Sequence, residues 1–141
     1  MITIKENYKN LLILNVLCIL VIFINGWWRC KYNMGNDILM NIKLGGDLDG
    51  WSITHFLWFT ILGYYFPHYF IECLIVGILW EFIEHYLGEN RPSWLGGFGD
   101  CNLGTDQLNS SHKNWWFGRV SDVVMNIAGF CAGRYIRLQH F

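Results

Sequence analysis

The sequence predicts an all-α fold, a polytopic membrane bundle of about four transmembrane helices in a single domain from residue 1 to residue 141. Hydrophobic residues make up 53% of the chain, and charged residues make up only 15%. Because soluble domains carry about 25% charged residues, this composition favours lipid as the main solvent. Four apolar stretches, separated by polar or turn-forming residues, give the predicted helices. The net charge of −1 gives no reason to expect nucleic acid as a partner.

The first predicted helix covers residues 11–28, "LLILNVLCILVIFINGWW", and contains no charged side chain. Its length is close to the ~20 residues that cross a bilayer. Lys5 and Lys9 precede it, as in a signal peptide, but no cleavage site with small residues follows. Trp27, Trp28 and Arg29 instead resemble an anchor at the membrane interface, which favours a retained helix.

The second and third helices are predicted from the next two apolar stretches. A polar connector over residues 30–50, with the turn cluster "GGDLDG", leads into the second helix at residues 51–66. Pro67 ends this helix, because proline lacks the backbone donor that a continuing helix needs. The third helix covers residues 68–87, and Gly88 is the expected C-terminal stop.

A long loop separates the third helix from the fourth. It covers residues 88–114, is rich in glycine, asparagine and serine, and is too long to be a simple turn. The fourth helix covers residues 115–136. If the helices alternate in direction, the start of the second, the end of the third and the start of the fourth lie at the same membrane surface. The two long connectors lie at that surface too.

Two of the predicted helices carry polar residues and glycines on one face, at the spacing i, i+4, i+7, i+11. The members of these faces are Gly77, Glu81, Glu84 and Gly88 on the third helix, and Asp122, Asn126, Gly129 and Gly133 on the fourth. Because glycines let helices approach closely, we expect the two faces to meet. The topology adds His55, near the start of the second helix, to the same polar pocket.

The acids of this pocket are unfavourable where they stand unless something compensates their charge. Glu81 and Glu84 lie near a helix C-terminus, where the macrodipole disfavours negative charge, and they repel each other at i, i+3. Two close carboxylates require a shared proton or a cation. With Asp122 they form the predicted metal site, and oxygen ligands suit calcium or magnesium. Two alternatives stay open, since Asp122 suits a helix N-terminus and His55 is also interpretable as a packing residue.

Three motifs carry a resemblance to a known family. "HFLWF" at His55, "WEFIE" at Trp80 to Glu84, and "WWFGRVSD" ending at Asp122 resemble the core of the eukaryotic base-exchange phosphatidylserine synthases. The resemblance implies a membrane enzyme that exchanges the head group of an existing phospholipid for L-serine with the help of calcium. It also implies that His55, Glu81, Glu84 and Asp122 form the active site.

A second resemblance is to the VanZ-like membrane proteins. "GILWE" and "GRVSDVVMNIAGFCAG" are similar to motifs of that family, including its D-x-x-x-N spacing from Asp122 to Asn126. This resemblance implies a membrane protein that binds a lipid or another hydrophobic molecule without catalysis. A third interpretation is a structural subunit whose polar face pairs with a partner helix. Self-association into a homo-oligomer also stays open.

The expected chemistry is transfer at a phosphodiester near the membrane surface. The bound cation is expected to polarise the lipid phosphate. His55 is the predicted general base for an incoming hydroxyl, because imidazole exchanges protons near neutral pH. Arg119 is predicted to hold the phosphate as a fork, with a snorkelling arginine as its alternative. Asn126, one turn deeper than Asp122, is the second predicted substrate-binding residue.

Positive residues outside the first and fourth helices favour cytoplasmic termini, so that the pocket faces the lumen or the exterior. Cys30 and Cys101 then lie in an oxidising space and are expected to form a disulfide if the loops bring them within bridging distance. Asn109 begins an N-x-S/T glycosylation sequon on the same side. The expected location is the endoplasmic reticulum membrane in a eukaryotic or viral setting, and the cell membrane in a bacterium.

Overall fold

The computed structural model describes residues 8–32, 37–90, 116 and 118–139. Within these ranges the chain is mainly helical, which confirms the all-α part of the prediction, and a short antiparallel hairpin is added to it. The elements are α1 Tyr8–Lys31, α2 Ile38–Asn41, β1 Lys43–Gly45, β2 Leu48–Asp49, α3 Gly50–Tyr65, α4 Phe70–Asn90 and α5 Val120–Gln139. The predicted disulfide and sequon, and most of the predicted loop, lie outside the described residues.

The predicted end of the third helix and the predicted start of the fourth were wrong. Helix α4 continues through Gly88 to Asn90, because this glycine serves packing rather than termination. A Cβ atom at Gly88 would lie 2.2 Å from the carbonyl oxygen of Trp116. Helix α5 begins at Val120 rather than at residue 115. Gly118, just before it, is non-helical, and a Cβ there would lie 2.0 Å from the carbonyl oxygen of Glu81.

The connector between α1 and α3 is more ordered than the sequence predicted. The turn expected from "GGDLDG" is present, and Gly45 and Gly46 take the positive φ values of 110° and 57° that favour glycine. This turn folds the chain back so that β2 delivers Asp49 to the first residue of α3. Asp49 caps α3 and forms a capping box with Ser52. The hairpin therefore fixes the start of α3, where the polar residues lie.

Helices α3 and α5 form the closest pair of the described bundle. A Cβ atom at Gly63 would lie 2.1 Å from the carbonyl oxygen of Phe130, and one at Gly133 would lie 2.0 Å from that of Thr60. The α5 glycines were predicted to face the third helix, α4. They face α3 instead, because α3 matches them with its own glycine. Helix α4 meets α5 mainly where Gly77 lies beside Asn126.

Replacement of Gly133 by alanine tests this backbone contact. Alanine has the higher helix propensity by about 1 kcal/mol. We nevertheless expect Gly133→Ala to destabilise the protein by about 1–3 kcal/mol, because the added methyl group pushes α5 away from Thr60. The measurement is the midpoint temperature of unfolding in detergent. It is the temperature at which half of the monodisperse protein has been lost. Ala128→Val, at an exposed position of α5, is the control and should leave that midpoint unchanged. If Gly133→Ala also leaves the midpoint unchanged, the proposed backbone contact is wrong.

Two apolar cores hold the bundle together, one toward each end. One core contains Leu11, Phe59, Leu62, Phe66, Cys73 and Phe130. The other contains Met40, Trp80, Leu87 and Trp116, with Ile19, Ile22, Phe23 and Trp51 packed against it. Helix α1 contributes to both cores, through Leu11 near its start and through Ile19, Ile22 and Phe23 in its middle part.

Helix α1 also has the properties of a membrane span. Its segment Tyr8–Arg29 has 22 residues, reaches a mean hydropathy of 2.3, and is 17% buried inside the bundle. Among the helices of the described ranges, this is the one that is long and apolar enough to cross a membrane. Helix α3, with 16 residues, is about 24 Å long and shorter than the hydrocarbon core of a typical bilayer.

Candidate carboxylate and histidine site

Three side chains from three helices meet at the end of the bundle where α3 and α5 begin. His55 of α3, Glu81 of α4 and Asp122 of α5 each offer a ligand atom, and these atoms lie within 4.8 Å of one another. Glu81 is 7% exposed and Asp122 is 4% exposed, so both carboxylates are largely withdrawn from solvent. The structure thus brings together three of the residues that the sequence analysis selected.

Glu81 has one oxygen bound and one oxygen unsatisfied. Its Oε2 accepts a hydrogen bond of 2.8 Å from the backbone N–H of Arg119. Its Oε1 is buried and has no hydrogen-bond partner among the described residues, and it lies 3.7 Å from Nδ1 of His55. A buried carboxylate oxygen without a partner is costly, so this atom is where a cation or a proton is most needed.

His55 is held in place by Asn126. The imidazole Nδ1 lies 3.0 Å from Oδ1 of Asn126, whose side chain is fully buried at 0% exposure. Because an amide oxygen only accepts, this contact selects the tautomer in which Nδ1 carries the hydrogen. The other ring nitrogen, Nε2, is then the acceptor. Asn126, which was predicted to bind substrate, thus orients the histidine, and it also lines the adjoining cavity.

Asp122 is oriented by Ser52, which the sequence analysis missed. The hydroxyl of Ser52 donates a short hydrogen bond to Oδ1 of Asp122, and it accepts one of 3.4 Å from the backbone N–H of Asp49. Ser52 is fully buried, and Asp49 is 1% exposed. The available signal was the D-x-x-S spacing from Asp49 to Ser52, which begins within the turn cluster and marks a capped helix start.

Arg119 requires a correction. Its Nη2 donates to Oδ2 of Asp49 at 2.7 Å, and its Nη1 donates to the backbone carbonyl of Asp47. Its side chain is 8% exposed. These contacts support neither the predicted phosphate fork nor a snorkelling arginine. The guanidinium clamps the hairpin to the start of α5, and the backbone N–H of Arg119 is the group that reaches the cluster, at Glu81.

Glu84 also differs from its prediction as a metal ligand. It is not among the residues whose ligand atoms lie within 4.8 Å of one another, and its place in that group is taken by His55. Glu84 lies about one turn further along α4, where it lines a neighbouring cavity. Its carboxyl group therefore lies beside the cluster and does not belong to it.

The charges and donor atoms of the cluster fit a divalent cation. Among the described residues, Glu81, Glu84, Asp122 and Asp49 bring four carboxyl groups to this end of the bundle, and Arg119 pairs with Asp49. Where these buried groups ionise, a bound cation offsets the cost of their charge. Carboxylate oxygens suit calcium or magnesium, and the unsatisfied Oε1 of Glu81 faces the other two side chains of the cluster.

A cavity of about 530 Å³ adjoins the cluster. Apolar side chains of α1, α3 and α4 form most of its wall, and His55, Glu84 and Asn126 are among its polar lining residues. Its volume is within the range of small-molecule sites. A site with this lining accommodates a molecule with an apolar body and a polar group at one end.

No protein-family model, curated protein or solved structure matches this chain. The relationship to the phosphatidylserine synthases and to the VanZ-like proteins therefore stays a prediction from the motifs around His55, Glu81 and Asp122. What the chain can do chemically follows from the groups at the site. They are an oriented imidazole, two buried carboxylates and an adjoining apolar cavity.

Proposed function

We propose that this protein is an integral membrane enzyme of phospholipid head-group metabolism, which exchanges the head group of an existing phospholipid for L-serine. The observation that carries the proposal is the cluster of His55, Glu81 and Asp122 beside an apolar cavity. The phosphate and the head group are polar and the acyl chains are apolar, so a phospholipid matches both parts of this site. The motifs that resemble the phosphatidylserine synthases contain the same three residues.

The proposal places all four long helices in a membrane. Besides the apolar α1, the other three carry large hydrophobic side chains that are exposed on the outside of the bundle. Examples are Leu57 and Ile61 on α3, Ile71, Ile75, Leu79 and Phe82 on α4, and Val124, Tyr135 and Leu138 on α5. Such a surface is favourable when lipid hydrocarbon surrounds the bundle. The proposed location is the endoplasmic reticulum membrane or, in a bacterium, the cell membrane.

The donors fit calcium or magnesium, held by Glu81 and Asp122. A bound divalent cation would supply Lewis-acid polarisation of the phosphate and would balance its charge. The chain itself prepares this position. Ser52 fixes one oxygen of Asp122, and the backbone N–H of Arg119 fixes one oxygen of Glu81, which orients the remaining carboxylate oxygens before any ligand arrives.

His55 is the proposed general base and acid. With Nδ1 bound to Asn126, Nε2 accepts the hydroxyl proton of serine while the serine oxygen forms a bond to phosphorus. The bond between phosphorus and the oxygen of the original head group breaks, and Nε2 returns the proton to that oxygen. One phosphodiester replaces another, so the step needs no oxidant, reductant or nucleotide.

The second candidate is lipid binding without catalysis, as in the VanZ-like resemblance. The observation that favours it is the number of cluster atoms already bound within the protein, since Ser52, Asn126 and Arg119 each hold one member of the cluster. Such contacts also suit a rigid polar patch that only recognises a head group. Turnover distinguishes the two candidates.

Lipid mass spectrometry of membranes that express the chain tests the proposal. With isotope-labelled serine and calcium present, we expect label in phosphatidylserine, together with release of the original head group. Chelation of the cation should abolish the incorporation. Glu81→Gln should abolish it too, at an equal amount of membrane-inserted protein. Folded protein that incorporates no label with either cation would overturn the exchange reaction and favour the binding function.

A further inference from the structure

The cavity beside the cluster lies between α1 and the rest of the bundle. Asn15, Cys18, Ile19 and Ile22 of α1 form one wall, and side chains of α3 and α4 form the other. Near its N-terminal end, α1 is attached through Leu11, which is 2% exposed. Toward its C-terminal end, it is attached through the ring of Phe23, which contacts Trp80 and Trp116. The cavity lies between these two attachments, with Asn15, Cys18, Ile19 and Ile22 facing it from α1.

The cavity has the length of one membrane leaflet. Along α3 its lining runs from Trp51 to Ile61, a span of about 15 Å at the rise of an α-helix. Half of the hydrocarbon core of a bilayer is about 15 Å thick. Along α4 the lining runs in the opposite chain direction, from Val76 up to Glu84. The groove therefore runs along the helices, and its length on α3 is comparable with that of an acyl chain in one leaflet.

The polarity of the groove changes along its length. His55 and Glu84 lie toward the end marked by Trp51, where the cluster is. The lining between Leu57 and Ile61, and between Val76 and Leu79, is apolar. Two polar side chains reach the deeper part. Asn126 lies beside Gly77, and Asn15 donates its amide in a hydrogen bond of 2.9 Å to the carbonyl of Leu11 in its own helix.

The groove is open at its side. Four of its lining residues are also exposed on the flank of the bundle, namely Leu57 at 54%, Ile61 at 43%, Leu79 at 54% and Ile83 at 46%. These positions lie along the middle of α3 and α4, not at their ends. A ligand thus has access from the surroundings of the helices, which the proposed function identifies as lipid.

We infer that this groove holds one acyl chain of a phospholipid, whose head group lies at the cluster of His55, Glu81 and Asp122. This inference rests on the proposed membrane location and gives the substrate class of the same site. The acyl chain enters sideways between α1 and the pair α3 and α4, and the phosphate of the same lipid reaches the polar end of the groove. A water-soluble phosphodiester without an acyl chain lacks the part of the ligand that fills the groove.

Chain-length dependence of binding tests the inference apart from any reaction. The probes are lysophosphatidylethanolamines with single chains of about eight to sixteen carbons, titrated onto protein held in amphipol to avoid competing detergent chains. Affinity is measured as ligand-dependent stabilisation against heat. Because burial of a methylene is favourable, we expect each added methylene to tighten binding about fourfold until the groove is full. Beyond that length the affinity should level off.

Two tryptophan variants form a matched pair on α4. Leu79 lines the groove and is 54% exposed, whereas Ile75, one turn earlier, is 52% exposed and is not part of the lining. Leu79→Trp should shorten the chain length at which affinity levels off and should weaken the longest probe at least tenfold. Ile75→Trp should behave like the wild type. Leu57→Trp repeats the test from α3 if Leu79→Trp does not fold.

The outcomes separate this inference from the proposed reaction. Chain-length dependence that Leu79→Trp shortens supports the groove, even if no serine is ever incorporated. Affinity that is independent of chain length, or equal effects of Leu79→Trp and Ile75→Trp, would overturn the groove, even if exchange activity is found.

Discussion

His55→Ala is expected to lower head-group exchange by about 10²- to 10⁴-fold, the usual contribution of a general acid–base residue. The variant keeps Glu81 and Asp122, so cation binding and phospholipid binding should persist. The loss should appear in the turnover number rather than in the lipid concentration that gives half-maximal rate. His55→Gln should not restore the rate, because an amide cannot take up the hydroxyl proton near neutral pH. The measurement is incorporation of labelled serine by purified protein in mixed micelles.

His85→Ala is the matched control for this prediction. His85 is on α4 close to Glu84, but it is exposed and does not belong to the cluster. Its replacement should leave the rate within about twofold of the wild type, as for an exposed side chain without a special role. Full activity in His55→Ala or in His55→Gln would reduce His55 to a packing residue that fills the space next to Asn126.

Glu81→Gln is expected to abolish the stabilisation of the protein by calcium or magnesium. A cation at a hundredfold excess over its dissociation constant stabilises a folded protein by about 2.7 kcal/mol, which raises the unfolding midpoint by several degrees. Glutamine has the same shape, and its carbonyl oxygen can still accept the hydrogen bond from the backbone N–H of Arg119. The variant without cation should therefore be as stable as the wild type or more stable, because it removes a buried charge.

Glu84→Gln and Glu89→Gln complete the comparison. Glu84 lies beside the cluster, so its loss should weaken the cation-dependent shift without removing it. Glu89 is exposed near the end of α4, and its replacement should leave the shift unchanged. The readout is the unfolding midpoint with each cation and with a chelator. An equal shift in the wild type and in Glu81→Gln would show that the cation binds elsewhere and that the shared site is wrong.

The helical class and the approximate helix positions could be predicted from composition and from apolar run length alone. These signals are local, since each stretch shows its hydrophobicity without reference to the rest of the chain. The break at Pro67 and the turn at Gly45 and Gly46 were correct for the same reason. Gly88 was misread as a helix end, because a glycine that terminates a helix and one that permits close packing look identical in sequence.

His55, Glu81 and Asp122 were selected from the sequence because polar groups within apolar runs are unfavourable unless they have partners or a function. Helix direction then sufficed to place them at one end of the bundle. The sequence by itself thus determined which residues form the cluster and which end of the bundle they share.

Only the tertiary structure decided how each of these residues is held. The clamp of Arg119 on Asp49, the hydrogen bond from Ser52 to Asp122 and the contact of Asn126 with His55 join residues that are far apart in the chain. Each contact requires its two atoms to be placed to within a few tenths of an ångström. The close approach of α3 and α5 at their glycines sets that placement. Residue spacing along one helix cannot specify the rotation and depth of another helix against it. Packing determines both, and packing made Arg119 a structural clamp and Asn126 the support of the histidine.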